Sequence, residues 1–188
     1  MKQFLLTLLM TFAFGICSAQ TEHMKFMGIP MEGTLQSFTD KLVAKGFTPM
    51  GVQDGISVLT GEFAGYKDCS ILVVTDKQRL ICKVCVLFPA KDKWGELESC
   101  YLNFKSMLTE KYGVPNVCEE KFQHEYVNDD NMKMHELIMD RCKYYSVFDG
   151  LNGDIQLEIK HSDDCFVMIS YFDNVNQDKL RKRIMDDL

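Results

Sequence analysis

No apolar run in the chain beyond its N-terminus approaches the roughly 17 to 25 residues of a lasting transmembrane helix. The longest, Phe4 to Ile16, falls short of that length too. It follows Lys2 and ends in the small residues Cys17, Ser18 and Ala19, the charge, core and cleavage pattern of a secretory signal peptide. Cleavage is expected after Ala19, which places the mature chain in the periplasm or outside the cell. A lipid anchor on Cys17 is not expected, because a lipoprotein signal carries a small residue before its cysteine and Ile16 stands there.

Basic excess is also missing. Lys and Arg number 21 against 27 Asp and Glu, for a net charge of −6, and the cations are scattered apart from Arg181, Lys182 and Arg183. This excludes the electrostatic footprint of a nucleic-acid-binding protein, and the short basic run reads as the exposed face of a helix. The sequence contains no Gly-rich phosphate loop, H-E-x-x-H, G-x-S-x-G or EF-hand spacing. The stretch DGLNGD at 149–154 has the composition of a calcium loop, but its glycines read as a hairpin turn. No cofactor is called for. The available bases are His23, His124, His135 and His161, and no local signature pairs any of them with a nucleophile, so a small secreted hydrolase would need a Cys/His site assembled by the fold. His23, at the mature terminus, and His161, at a strand end, read as solvated.

Eight cysteines less Cys17 leave seven, at 69, 82, 85, 100, 118, 142 and 165. An odd number excludes a complete disulfide framework within one chain. Cys82 and Cys85 have C-x-x-C spacing inside LICKVCVLF, a stretch with strand composition and neither Gly nor Pro. On a strand, Leu80, Cys82, Val84, Val86 and Phe88 share one apolar face, while Ile81, Lys83, Cys85 and Leu87 share the other. The two cysteines then lie about 10 Å apart at 3.3 Å per residue, beyond the roughly 7 Å that a disulfide tolerates. Neither a redox centre nor a zinc knuckle fits a continuous strand. Cys82 is expected as a small, unreactive core residue, with Cys85, Cys69 or Cys142 more exposed.

Thr34 can cap a helix whose apolar positions Leu35, Phe38, Leu42 and Val43 keep helical spacing, and Gly46 ends it. Four strand-like runs follow: FTPMGV, GISVLTGEF, CSILVVT and LICKVCVLF. Trp94, Leu97, Tyr101, Phe104, Leu108 and Tyr112 then mark the core stripe of a second helix, ended by Gly113 and Pro115. The plan recurs with VCEEKF, a run through ELIMDRCKYYSVF, DIQLEIK after an Asn152-Gly153 turn, and CFVMISYF. Within the second run, ELIMDRC is open to either a helical or a strand reading. A last helix starts near Asn176, with Leu180, Ile184 and Leu188 on one face.

The expected fold is α+β: a tandem repeat of one helix followed by a four-stranded antiparallel sheet, plus a C-terminal helix. After a signal peptide at 1–19, the repeats occupy 20–92 and 93–188 and form one compact unit. Helices cover one face of each sheet and leave the other to water or a partner. The second repeat departs from the first by about ten extra residues, QHEYVNDDNMKM at 123–134. Phe122, His124 and Tyr126 lie there beside Asp129 and Asp130, with His135 just beyond, and supply aromatic anchors and acidic neighbours suited to a protein partner. His124, Asp129 and His135 have no fixed metal-ligand spacing, so no metal site is assigned.

With EKYGVP closing the second helix and GDIQLEIKHSDDCFVMISYFDNVN forming the final hairpin, most of the mature chain resembles a group of uncharacterised exported proteins of Bacteroidales gut bacteria. The helix-plus-four-strand plan also resembles, in architecture alone, the beta-lactamase inhibitor protein, which clasps an enzyme with its sheet and loops. The exported group carries no activity to transfer; the duplicated sheet plan, the absent catalytic motifs and the aromatic insertion lead to the expectation of a non-enzymatic, inhibitor-like binding module. That inhibitor's repeats carry disulfides and no repeated cysteine pair occurs here, so no target or contact residue is implied.

Overall fold

The computed structural model describes residues 22–77, 79–124, 126–186 and 188, so the signal-peptide reading lies outside the described residues. A short hairpin comes first, β1 (Lys25–Phe26) and β2 (Ile29–Pro30), turned by Met27 and Gly28, both at positive φ. Its turn lacks the Asn-Gly or Asp-Gly signal, and nothing in the sequence reading anticipated it. Helix α1 (Leu35–Val43) is capped as expected, the Thr34 hydroxyl accepting from Ser37 N–H at 3.1 Å. Next come β3 (Thr48–Gln53), β4 (Ile56–Phe63), β5 (Tyr66–Thr75) and β6 (Ile81–Leu87), then α2 (Trp94–Tyr112). The chain continues with β7 (Val117–Phe122), α3 (Asp130–Ile138), β8 (Cys142–Gly150), β9 (Gly153–His161), β10 (Cys165–Asp173) and α4 (Asn174–Asp186).

The fold is α+β, as the sequence indicated, but β3 to β10 form one eight-stranded antiparallel sheet in the order β3-β4-β5-β6-β10-β9-β8-β7, in place of two separate four-stranded ones. Two meanders join where β6 pairs with β10, from Met168↔Leu87 to Phe172↔Lys83. Both strands are largely apolar, with Lys83 and Ser170 the polar residues of the second face, and pairing them removes two open edges that would otherwise expose backbone donors and acceptors.

One sheet face carries the core. Val84, Val86 and Phe88 of β6 and its extension lie beside Val167, Ile169 and Tyr171 of β10, and helix α2 buries Trp94, Leu97, Tyr101, Phe104 and Leu108 against that face. Helix α1 adds Phe38 and Leu42, with the Thr39 hydroxyl bonded to Ser57 at 3.3 Å. Tyr101 meets Ser146 at 2.7 Å, which satisfies its hydroxyl in the interior. Among the described residues, α4 is the helix on the opposite face, over β6, β10 and β9.

The strand reading of Cys82 requires correction. Pairing runs Val74↔Lys83 and then Thr75↔Ile81, so Cys82 is the extra residue of a β-bulge. The bulge resets the alternation: Ile81 enters the core, Cys82 is half-buried beside α4, and Cys85, on the α4 face, is only 3% exposed. Cys69, expected among the exposed thiols, is also buried.

Candidate functional site

The insertion after β7 is structured. Asp129 caps α3, its Oδ1 accepting from Met132 N–H at 2.9 Å, and Asp130 Oδ2 accepts from Gly95 N–H at 3.3 Å, which ties α3 to the start of α2. The open reading of ELIMDRC thus divides: the helix runs through Ile138 and the strand begins at Cys142. Phe122 packs edge-on against Trp94, with ring centroids 4.9 Å apart, and 5.6 Å from Tyr144, so it belongs to the core margin.

Charge fixes the other side of the insertion. Glu136 is buried, and its carboxylate meets His124 Nδ1 at 2.8 Å and Arg141 Nη2 at 2.9 Å. His135 lies 3.3 Å from the same Arg141 nitrogen. The His124 hydrogen bond outweighs desolvation and, with Arg141, holds the Glu136 carboxyl below its usual range, so it is ionised at neutral pH. Sequence proximity suggested His124, Asp129 and His135 as one group. In the fold, His124 and His135 converge on Glu136 and Arg141, while Asp129 serves the helix cap. Among the described residues no cluster of three or more His, Cys, Asp or Glu side chains could hold a metal ion.

Tyr126 is 80% exposed, and Met132, Ile138 and Met139 are exposed with it. The end of α3 borders a depression of about 390 Å³ that continues onto β8 and β9, where Ile138, Lys143, Tyr145, Glu158 and His161 line it. The insertion therefore couples fixed anchors to outward-facing apolar side chains.

A second feature was missed by the sequence reading. His23 Nδ1 lies 3.0 Å from Asp173 Oδ2, and the fully buried Asp173 also accepts from Met24 N–H at 2.6 Å and Asn176 N–H at 2.8 Å. The carboxylate thus joins the N-terminal hairpin to the start of α4. His23 borders a cavity of about 530 Å³ with Phe63, Tyr112 and Tyr171, whose described lining residues include no Ser, Thr or Cys. Nothing local linked residues 23 and 173, 150 positions apart.

Six of the described thiols are poorly suited to nucleophilic catalysis. All seven described cysteines are unpaired. Burial pushes Cys69 up to about 11 and Cys142 up to about 12, and raises Cys82, Cys85, Cys100 and Cys165 as well. Such groups stay protonated at neutral pH, whereas the thiolate is the reactive form. Of the described cysteines, Cys118 alone is exposed, at the sheet edge beside Lys105 and Glu120. Maleimide should label Cys118 rapidly, Cys82 and Cys142 slowly, and Cys69, Cys85, Cys100 and Cys165 only on unfolding. Peptide mass spectrometry over a time course checks the order, and rapid native labelling of Cys85 would contradict the sheet assignment.

No protein-family model, curated protein or solved structure matches this chain.

Proposed function

We propose that the protein is an exported, non-enzymatic module that binds a protein partner through the α3 insertion and the adjoining β8–β9 surface. One observation carries this reading: an insertion pinned by Phe122, His124, Asp130 and Arg141 presents Tyr126, Met132, Ile138 and Met139 to solvent. Aromatic and Met side chains on a prepositioned surface make efficient interface anchors, because little conformational freedom is lost on binding. The two β-meanders, each preceded by a helix on the same sheet face, support an internal duplication in which only the second copy gained this element. Burial of most thiols suits residence in an oxidising compartment, since it shields them from cross-linking. The raised thiol pKa values weigh against a cysteine hydrolase.

Capture from cell-envelope extract followed by mass spectrometry supplies the partner. Against it, Tyr126→Ala and Ile138→Ala should each weaken affinity, with about 2 kcal/mol or more lost at a true anchor, while melting temperature stays nearly constant. Phe122→Ala should instead lower the melting temperature, because its ring packs on Trp94. Unchanged affinity for Tyr126→Ala and Ile138→Ala would remove the insertion from the interface.

A further inference from the structure

Between α4 and the sheet lies a groove of about 420 Å³, lined by Val74, Cys82, Lys83, Phe172, Leu180, Arg181 and Ile184 among others. The row Val74↔Lys83↔Phe172 forms its floor across three strands, and the bulge turns Cys82 toward it. Helix α4 starts against the sheet, where Asn176 Nδ2 donates to Met31 and Ile81 carbonyls at 3.0 and 2.9 Å. Toward its end Ile184 and Met185 remain 53% and 62% exposed, so the helix leaves apolar side chains open to solvent.

The charges set the ligand class. Lys25, Lys91, Lys105, Lys121, Arg141 and Lys160 each have a carboxylate partner. Lys83 and Arg181 have none among the described residues, as is true of Lys67, Lys133 and Lys143 too; what sets these two apart is their place on the wall of an apolar groove. Lys83 Nζ instead sits 5.0 Å from the centroid of the Phe172 ring. Asp76 also acts electrostatically on the Cys82 thiol, and Asp178 and Asp186 lie beside Arg181 on the outer side of α4, so carboxylates border the groove without lining it. An apolar trough beside two unneutralised cations complements a molecule with one anionic head and one hydrocarbon chain. Its volume falls in the about 300 to 1,000 Å³ range of small-molecule sites, and its few lining residues are far short of the 20 to 30 a side of a standard protein interface.

We propose that this groove binds a free, single-chain anionic amphiphile of the fatty-acid class, with Lys83 and Arg181 taking the carboxylate and Val74, Phe172, Leu180 and Ile184 the chain. The site is separate from the α3 surface, and its test needs only the purified protein. Decanoate, titrated below its micelle concentration and followed by calorimetry, should bind saturably with one site per chain. It should also slow maleimide modification of Cys82. The Lys83→Met/Arg181→Met double variant should bind decanoate about tenfold or more weakly, the loss expected when a charge-assisted contact is removed. Binding of 1-decanol should be the same in both proteins, which shows that the groove remains intact. No decanoate binding, equal decanoate affinity in the double variant, or Cys82 reactivity unaffected by decanoate would each overturn the proposal. So would capture by phosphatidylglycerol vesicles without any response to decanoate, which would make the groove a membrane contact.

Discussion

Replacing Gly153 with alanine should destabilise the protein by about 3 kcal/mol or more, although the change adds one methyl group. A Cβ built on Gly153 would stand 2.0 Å from the Phe172 carbonyl oxygen and 3.1 Å from Met24 side-chain atoms. The first neighbour is backbone, in the β9–β10 ladder where Asp173 pairs with Gly153, and it cannot rotate aside. Relief requires opening the ladder beside Asp173, which holds both the N-terminal hairpin and α4. The sequence suggested that this glycine serves an Asn-Gly turn. In the fold, Asn152 takes the positive φ, at 69°, and Gly153 is a strand residue needed for close approach. Asn152→Gly should accordingly shift stability by less than about 1 kcal/mol. Denaturant unfolding of both variants checks the distinction, and comparable losses at the two positions would return the explanation to the turn.

Trp94→Ala should cost about 3 to 5 kcal/mol. The indole is fully buried and stacks edge-on with Phe122 at 4.9 Å and Tyr144 at 4.8 Å. Its ring nitrogen has no acceptor among the described residues, so the loss is one of packing and not of a hydrogen bond. Trp94→Phe therefore retains much of the stability. At about 2 to 4 °C per kcal/mol for a chain of this size, the alanine variant should melt about 6 to 20 °C lower. Hydrogen exchange should rise first in α3, which depends on this cluster through Phe122. Equal losses for the alanine and phenylalanine variants would show that the indole nitrogen matters after all.

These sites mark the boundary of what local pattern reveals. Alternation and turn residues were enough to find the eight strands of the main sheet, and Thr34 and the Trp94 to Leu108 stripe located α1 and α2. Such signals report which face of a segment is apolar. They do not report which distant strand will pair with it. The β6–β10 join was hidden because both strands carry apolar residues on both faces, broken only by Lys83 and Ser170 on the second, so periodicity showed little preference for a side. The Cys82 bulge depends on register with β5, a property of two strands together. The insertion was visible as extra length, yet its anchoring was not, since Glu136 meets His124 and Arg141 only once α3 has formed. His23–Asp173 and the α4 groove likewise require tertiary contact.

The β6–β10 join also sets a timetable. Each meander is built from strands adjacent in the chain, whose hairpins close on the microsecond scale. Joining them brings Cys85 to Ser170, 85 positions away, after the loop-closure entropy of the intervening chain has been met. Until then β6 and β10 are apolar strands with unpaired edges, the condition in which a nascent chain adheres to its neighbours. Late docking makes a specific kinetic statement: Met168→Ala, which weakens the contact with Leu87, should accelerate unfolding more than it slows folding. Stopped-flow measurements on that variant separate the two, and a folding rate that falls in full proportion to the lost stability would place the join in the nucleus. For the exported module proposed above, the interval between hairpin closure and docking is when escort by a holding chaperone would count most.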